Sequence, residues 1–285
     1  AYKVIYGDTL FSEPYSFTTP SSSIQQFSFL AFNDLHSKPQ FVSNVVKREK
    51  GFNFVMLNGD ILGDINTEDE IANDMLIPFS NYFATGKPFF LTRGNHETRG
   101  SGARSLSKYI DTPTGKYYYS FTYGNASFIV LDCGEDKPDD HPAYFGLGDY
   151  DNYRMEEAEW LAKELQKSEF KNAKYKIVCI HMPVTLKPME DNVAGHGVND
   201  CSEKFAPILN AAKVDLLLAG HTHQYKVIRP QKGVTSFPVI IGGAPVSGTN
   251  LEKTTYTLVE VDKSGLRCFL KKANGDVIEE VKIAK

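Results

Sequence analysis

Five short clusters in this chain carry imidazoles, carboxylates or both: Asp34-Leu35-His36, Gly59-Asp60, Gly94-Asn95-His96-Glu97, His181, and Gly220-His221-Thr222-His223. Of the chain's histidines only His141 and His196 fall outside them. Imidazole nitrogen and carboxylate oxygen are the expected ligands of divalent ions such as Zn, Mn or Fe. Asp34, His36, Asp60, Asn95, His181, His221 and His223 are too many ligands for one tetrahedral ion. Two ions sharing one carboxylate would use them all and leave positions for water and substrate. That arrangement suits in-line displacement at phosphorus, with ions roughly 3.5–4 Å apart. Singly the residues say less. Asp34 could cap a helix, Asn95 could be a turn residue, and His181 could be a satisfied core histidine. Their joint occurrence carries the reading.

Each cluster follows an apolar, strand-like run, and ligands in open α/β sheets bind at strand carboxyl ends. The runs are 27–32, 54–57, 88–91, 175–180 and 214–219, with a hairpin of 117–123 and 126–132 turning at Gly124-Asn125. Between them, Phe41, Val42, Val45 and Val46 share a helical face, as do Ala158, Leu161, Ala162 and Leu165, then Phe205, Ile208, Leu209 and Ala212. A further helical region lies near 67–84. This βαβα order predicts an α/β fold with largely parallel inner strands. Gly59, Gly94 and Gly220 stand where the chain must turn sharply at a strand end. The tail changes character: 238–241, 254–261, 266–271 and 277–283 read as successive strands, with turns at Lys263-Ser264-Gly265 and Asn274-Gly275. Stretches 134–152 and 182–200 read as long loops of the kind that form lids or binding walls. With 98–116 they would set substrate choice. Tyr144, Phe145, Tyr150 and Tyr153 either line such a wall or pack the loop onto the core.

Composition excludes several classes. The 285 residues carry 31 Lys and Arg against 35 Asp and Glu, a net charge of −4, which gives no electrostatic case for nucleic acid or an anionic membrane. No apolar run approaches the roughly 18 residues of a membrane span. Four cysteines are too few for a disulfide scaffold. Cys133 and Cys179 sit in apolar runs and read as buried thiols, while Cys201 and Cys268 stay open. Residues 1–6 alternate like a strand, so no signal peptide is expected. Residues 1–22 read as a terminal β segment left from a preceding β-domain, with a serine linker, and 23–285 as the main domain.

The blocks D-x-H, G-D, G-N-H-(D/E), H and G-H-x-H, all present over about residues 27–245, resemble the signature of the calcineurin-like metallophosphoesterase superfamily. The resemblance implies a four-layer αββα sandwich with a dinuclear site at the strand ends. One ion would take Asp34, His36, Asp60 and His223. The other would take Asp60, Asn95, His181 and His221. His96 would be an acid or oxyanion donor rather than a ligand, and Glu97 would orient it. Tyr15-Ser16-Phe17-Thr18-Thr19-Pro20, Gly94-Asn95-His96-Glu97 and His181-Met182-Pro183 are similar to the purple acid phosphatase branch. That branch has a tyrosine three residues after the bridging aspartate; here Gly63 stands there, and His36 is supplied instead. The site should therefore be colourless, without obligatory ferric iron.

The implied function is phosphoester hydrolysis, with water or hydroxide activated by two divalent ions (Mn, Zn or Fe) attacking phosphorus in line. A small phosphomonoester is the first substrate class. A phosphodiester of cyclic-nucleotide or nucleic-acid type, or a non-catalytic binding role on the same scaffold, are the alternatives. The missing basic stripe speaks against nucleic acid, and the complete ligand set against a binding role. Arg93 either contacts phosphate bidentately or forms a salt bridge. The β segment points to a secreted or periplasmic protein, with a cytoplasmic one left open.

Overall fold

The computed structural model describes residues 1–10, 12–21, 23–188, 195–243 and 254–285. A small hairpin, β1 (Ile5–Tyr6) and β2 (Thr9–Leu10), comes first. Strand β3 (Phe27–Phe32) then leads through helix α1 (Gln40–Arg48) to β4 (Phe54–Asn58). The next crossover is helical from Glu68 to Ala84: α2 (Glu68–Ile71) and α3 (Ile77–Phe79) alternate with π turns at Ala72–Leu76 and Ser80–Ala84. It returns to β5 (Phe89–Thr92). Hairpin β6 (Tyr119–Tyr123) and β7 (Ala126–Val130) turns at Gly124-Asn125 as the sequence predicts. Helices α4 (Tyr150–Glu164) and α5 (Ser168–Lys171) precede β8 (Tyr175–Cys179), and α6 (His196–Ala211) precedes β9 (Leu216–Ala219). Then follow β10 (Lys226–Ile228), β11 (Val239–Ile241), β12 (Thr255–Val261), β13 (Gly265–Lys272) and β14 (Val277–Ala284).

These strands form two six-stranded sheets, ordered β14-β13-β12-β3-β4-β5 and β10-β11-β9-β8-β7-β6. Their centres are parallel (β3, β4, β5 in one; β7, β8, β9, β11 in the other), and their margins are antiparallel. Parallel strands must be covered on both faces, and here one face of each sheet covers the other sheet. Phe29, Phe54 and Phe128 meet between them: Phe54 stacks on Phe29 at 4.8 Å between ring centroids and meets Phe128 edge-on at 5.6 Å. Outside, Phe41 and Val45 of α1, with Met75 and Phe79 of the second crossover, cover the first sheet. Leu161, Phe170, Phe205 and Leu209 of α4–α6 cover the second. The result is the expected four-layer αββα sandwich.

Several boundaries differ from the sequence reading. Helix α4 starts at Tyr150 and α6 at His196, so the loops read as 134–152 and 182–200 give up their last residues to helix. Residues 189–194 of the second loop lie outside the described residues. Strand β10 has no counterpart in the sequence reading; it pairs antiparallel with β11. All four cysteines are buried and unpaired, which settles Cys201 and Cys268 as free thiols. Among the described residues no helix is long and apolar enough to cross a membrane.

The inter-sheet core gives a direct test. Phe54→Ala leaves a ring-sized void between two sheets that cannot both collapse onto it, so it should cost about 3–5 kcal/mol. Urea unfolding measures this; a loss under about 1 kcal/mol would show that Phe54 does not join the two sheets.

Candidate metal centre

Because the central strands of each sheet run parallel, they release their chains at a common edge. There β3 delivers Asp34 and His36, β4 delivers Asp60, β5 delivers Asn95 and His96, β8 delivers His181, and β9 delivers His221 and His223. The loops are zipped together by backbone bonds: Asp34 N donates to Gly59 O at 3.0 Å and His36 N to Asp60 O at 2.9 Å.

The local backbone is strained where the candidate ligands sit. Asp34, His36, Asp60, His221 and His223 all have positive φ, between 44° and 70°. Such conformations cost non-glycine residues of order 1–3 kcal/mol each and gather at functional sites. Two glycines make the crowding possible. A Cβ on Gly94 would lie 2.2 Å from Asp60 Oδ1. One on Gly59, itself at φ +89°, would lie 2.4 Å from the His181 ring.

The ligand atoms of Asp34, His36, Asp60 and His223 lie within 4.8 Å of one another, and so do those of Asp60, His181 and His221. Asp60 belongs to both groups. Asn95 joins the second, its Oδ1 3.0 Å from His221 Nδ1. His181 Nε2 stands 3.1 Å from Asp60 Oδ2 and 3.7 Å from Asp34 Oδ1, and His223 Nε2 stands 3.6 Å from Asp34 Oδ1. His36 and His223 face each other through their Nε2 atoms at 3.1 Å. His181 donates Nδ1–H to the carbonyl of Asn58 at 3.0 Å, which leaves Nε2 aimed at the carboxylates without an aligned hydrogen-bond partner. An imidazole anchored to a backbone carbonyl through one nitrogen is set to coordinate through the other.

Electrostatics points the same way. Asp34, Asp60 and Glu97 are at most 1% exposed, and none pairs with a lysine or arginine among the described residues. Burial raises Asp34 well above the usual carboxylate range, and burial with the charge of Asp60 lifts Glu97 to about 7. Asp60 goes the other way: burial opposes its charge, but His181 beside it holds it low. His181 is lifted to about 10, the carboxylates of Asp60 and Asp34 outweighing the effect of burial. Burial lowers His36 to about 4 and His221 to about 3, and lowers His223 as well. Those three are neutral imidazoles at pH 7, the form that binds metal. Buried carboxylates without a lysine or arginine partner among the described residues, three neutral imidazoles turned toward them and an unpartnered nitrogen fit a pair of divalent cations.

The other expected residues fall differently. Glu97 does not orient His96. Its Oε2 accepts from the backbone N–H groups of Asp60 (2.9 Å) and Gly94 (2.8 Å), and its Oε1 from Leu62 (2.8 Å), so it ties the β4 loop to the β5 loop. His96 Nδ1 instead lies 3.0 Å from Asp64 Oδ1, and Arg99 Nη1 lies 3.2 Å from its Nε2. A guanidinium only donates, so Nε2 accepts and Nδ1 carries the proton. Asp64 and Arg99 were missed because neither belongs to a strand-end cluster. Of the two readings of Arg93, the geometry takes the salt bridge: Nε and Nη2 engage Asp132 at 3.2 and 2.5 Å, over the Tyr117 ring at 4.2 Å. The four aromatics divide. Tyr144 and Tyr150 line a cleft of about 640 Å³, Tyr153 donates its hydroxyl to Asp132 at 2.8 Å, and Phe145 is exposed.

Comparison with known proteins gives the site a family. The sequence profile of the calcineurin-like phosphoesterase family matches residues 27–225. Purple acid phosphatase 21 of Arabidopsis thaliana is 24% identical over 234 residues, covering 76% of this chain and 48% of that protein. Among solved structures, a purple acid phosphatase from yellow lupin seeds superposes with a TM-score of 0.70 at 15% identity, over 97% of this chain and 57% of that one. A dimetal phosphatase from Danio rerio superposes at 0.64 and 15% identity, over 90% of this chain and 98% of that one. At these identities the superpositions speak for the fold. The chain spans about a third to a half of the length of the first curated relatives it matches. With more than two thirds of its length under one profile, and donor clusters at the ends of both sheets, the chain belongs to the calcineurin-like phosphoesterase family.

Proposed function

We propose that this chain is a dinuclear-metal-dependent phosphoester hydrolase acting first on small phosphomonoesters. The observation that carries the reading is the convergence of two donor groups on one shared carboxylate, Asp60, in a buried pocket whose carboxylates pair with no lysine or arginine among the described residues. Asp34, His36, Asp60 and His223 would hold one ion, and Asp60, Asn95, His181 and His221 the other. Mn, Zn or Fe suits this mixed nitrogen and oxygen set. When bound, two such ions supply charge neutralisation for an anionic phosphate and acidify water enough to make a nucleophile near neutral pH.

The chain's own groups do the rest. The backbone N–H of His96 donates to Asp60 Oδ1 at 2.9 Å, and the His96 ring stands edge-on to His36 at 4.7 Å, so it borders the cluster without joining it. Donation to a leaving oxygen needs a proton on Nε2, the atom that now accepts from Arg99. Asp64 accepts from Nδ1 whether the ring carries one proton or two. Arg99, held along its other edge by Glu135 and Asp136, offers a fixed donor for a phosphate oxygen at the same place. Neither the net charge of −4 nor the site loops provide a track for nucleic acid.

Reconstitution with Mn or Zn should give two ions per chain by elemental analysis. His223→Ala should lower that occupancy together with turnover. One ion or none in the wild type would sink the dinuclear reading.

Nitrophenyl phosphate should be hydrolysed faster than bis-nitrophenyl phosphate by the loaded protein. The reverse order would make it a diesterase, and no turnover of either would leave a binding role.

His96→Ala should keep both ions yet slow turnover about 10²–10⁴-fold. The loss should be larger for alkyl phosphates than for nitrophenyl phosphate, whose leaving oxygen needs little protonation. An equal loss for both, with metal intact, would make His96 a phosphate-positioning donor; loss of metal would make it a ligand.

A further inference from the structure

We propose that the cleft beside the metal centre is a leaving-group pocket that selects phosphoesters of an aromatic group carrying a second negative charge. This rests on the phosphoester reading above.

The cleft measures about 640 Å³, within the roughly 300–1,000 Å³ of small-molecule sites. It meets the metal centre at Thr98, whose hydroxyl donates to the backbone carbonyl of the candidate ligand Asn95 at 2.7 Å. Thr98, two residues beyond His96, lines it, and so does Arg93, which precedes Gly94. Three tyrosines stand in its walls. Tyr144 and Tyr150 meet at 64° with centroids 6.2 Å apart, and Tyr117 lies beneath Arg93. At the rim Leu147 is 84% exposed, an apolar side chain left in water beside an open cleft. A flat apolar group entering there buries surface on both sides.

The wall is fixed relative to His96. Glu135, only 2% exposed, accepts the Tyr144 hydroxyl at 2.9 Å, the Thr98 hydroxyl at 3.1 Å, and Arg99 at 2.6 and 2.9 Å. Arg99 in turn reaches His96 Nε2. One buried carboxylate thus sets the distance between the aromatic wall and the imidazole. The opposite end of the loop is pinned by Asp139, whose carboxylate accepts from the backbone N–H groups of Tyr150 and Asp151 at 2.8 and 3.0 Å. A pocket held this way loses little freedom when filled.

The charge preference follows from counting partners. Among the described residues no carboxylate lines the cleft, and its cations are Arg93 and Arg104. Arg93 is neutralised by Asp132. Arg104 is exposed and has no ion pair among the described residues. It is therefore the uncompensated charge of the cleft, and an anionic substituent on the ring would answer it.

The test uses three non-hydrolysable probes on the metal-loaded protein: methylphosphonate, phenylphosphonate and 4-carboxyphenylphosphonate, with binding measured by calorimetry. The ring should tighten binding about tenfold over methyl, and the carboxylate about fivefold more, less at high salt. Arg104→Gln should erase the carboxylate gain and keep the ring gain; Leu147→Ala should reduce the ring gain. Both side chains are exposed, so folding is not at stake, and elemental analysis checks the ions. Equal binding of methyl- and phenylphosphonate, or a carboxylate gain that survives Arg104→Gln, would overturn the proposal. Turnover without the affinity ladder overturns the pocket and leaves the hydrolase. The ladder without turnover of the matching phosphates overturns the hydrolase and leaves the pocket.

Discussion

Three carboxylates, Asp34, Asp60 and Glu97, are buried at one edge of the sandwich, and among the described residues no lysine or arginine pairs with them. Burying such charge without compensation is costly. The backbone provides much of the compensation: His221 N–H donates to Asp34, His96 N–H to Asp60, and three amides to Glu97. To aim amides inward while side chains also point inward, the chain bends back on itself at each strand end. The positive φ values and the glycine contacts are the form this takes. The loops are shaped by the charge they enclose.

The same chain handles other buried carboxylates in another way. Asp132 has Arg93, Glu135 has Arg99, and Asp200 has Arg154. Those pairs close on themselves and serve as struts under the site loops. The cluster of Asp151, His196 and Asp200 has the residue types of a metal site, but Arg154 already stands between its two aspartates. Asp34 and Asp60, by contrast, have no arginine partner among the described residues and face the histidine cluster instead.

Much of this was legible from residue order. Parallel strands announce themselves by short apolar runs, and the residue just past each run lands at the shared edge, so the residues that gather there could be read without coordinates. What sequence could not give was which side chains touch across loops. Glu97 follows His96 directly, yet the short turn at His96–Thr98 sends the two side chains apart, one into the core and one toward Asp64. The start of α4 was hidden for a different reason. Its buried face includes Arg154, Glu157 and Glu164 alongside Leu161, so apolar periodicity cannot find it. Helix α6 opens with His196-Gly197-Val198-Asn199, poor helix formers that mask its first turn.

The donors come from both sheets: Asp34, His36, Asp60 and Asn95 hang from one, His181, His221 and His223 from the other. Between the sheets, side-chain packing is supplemented by a few hydrogen bonds, such as Asn58 Nδ2 donating to the carbonyls of Ile180 and Leu218 at 3.3 and 3.2 Å and the Tyr119 hydroxyl donating to Leu91 O at 2.9 Å. An ion held jointly by Asp60, His181 and His221 would act as a rivet through the layers, and its binding free energy would add to the stability of the folded state. The two halves of the molecule would then be registered by coordination bonds at one end and by stacked phenylalanines along the middle. Shear between the sheets would then be freer in the metal-free protein, limited there by the packing and the few hydrogen bonds between the layers.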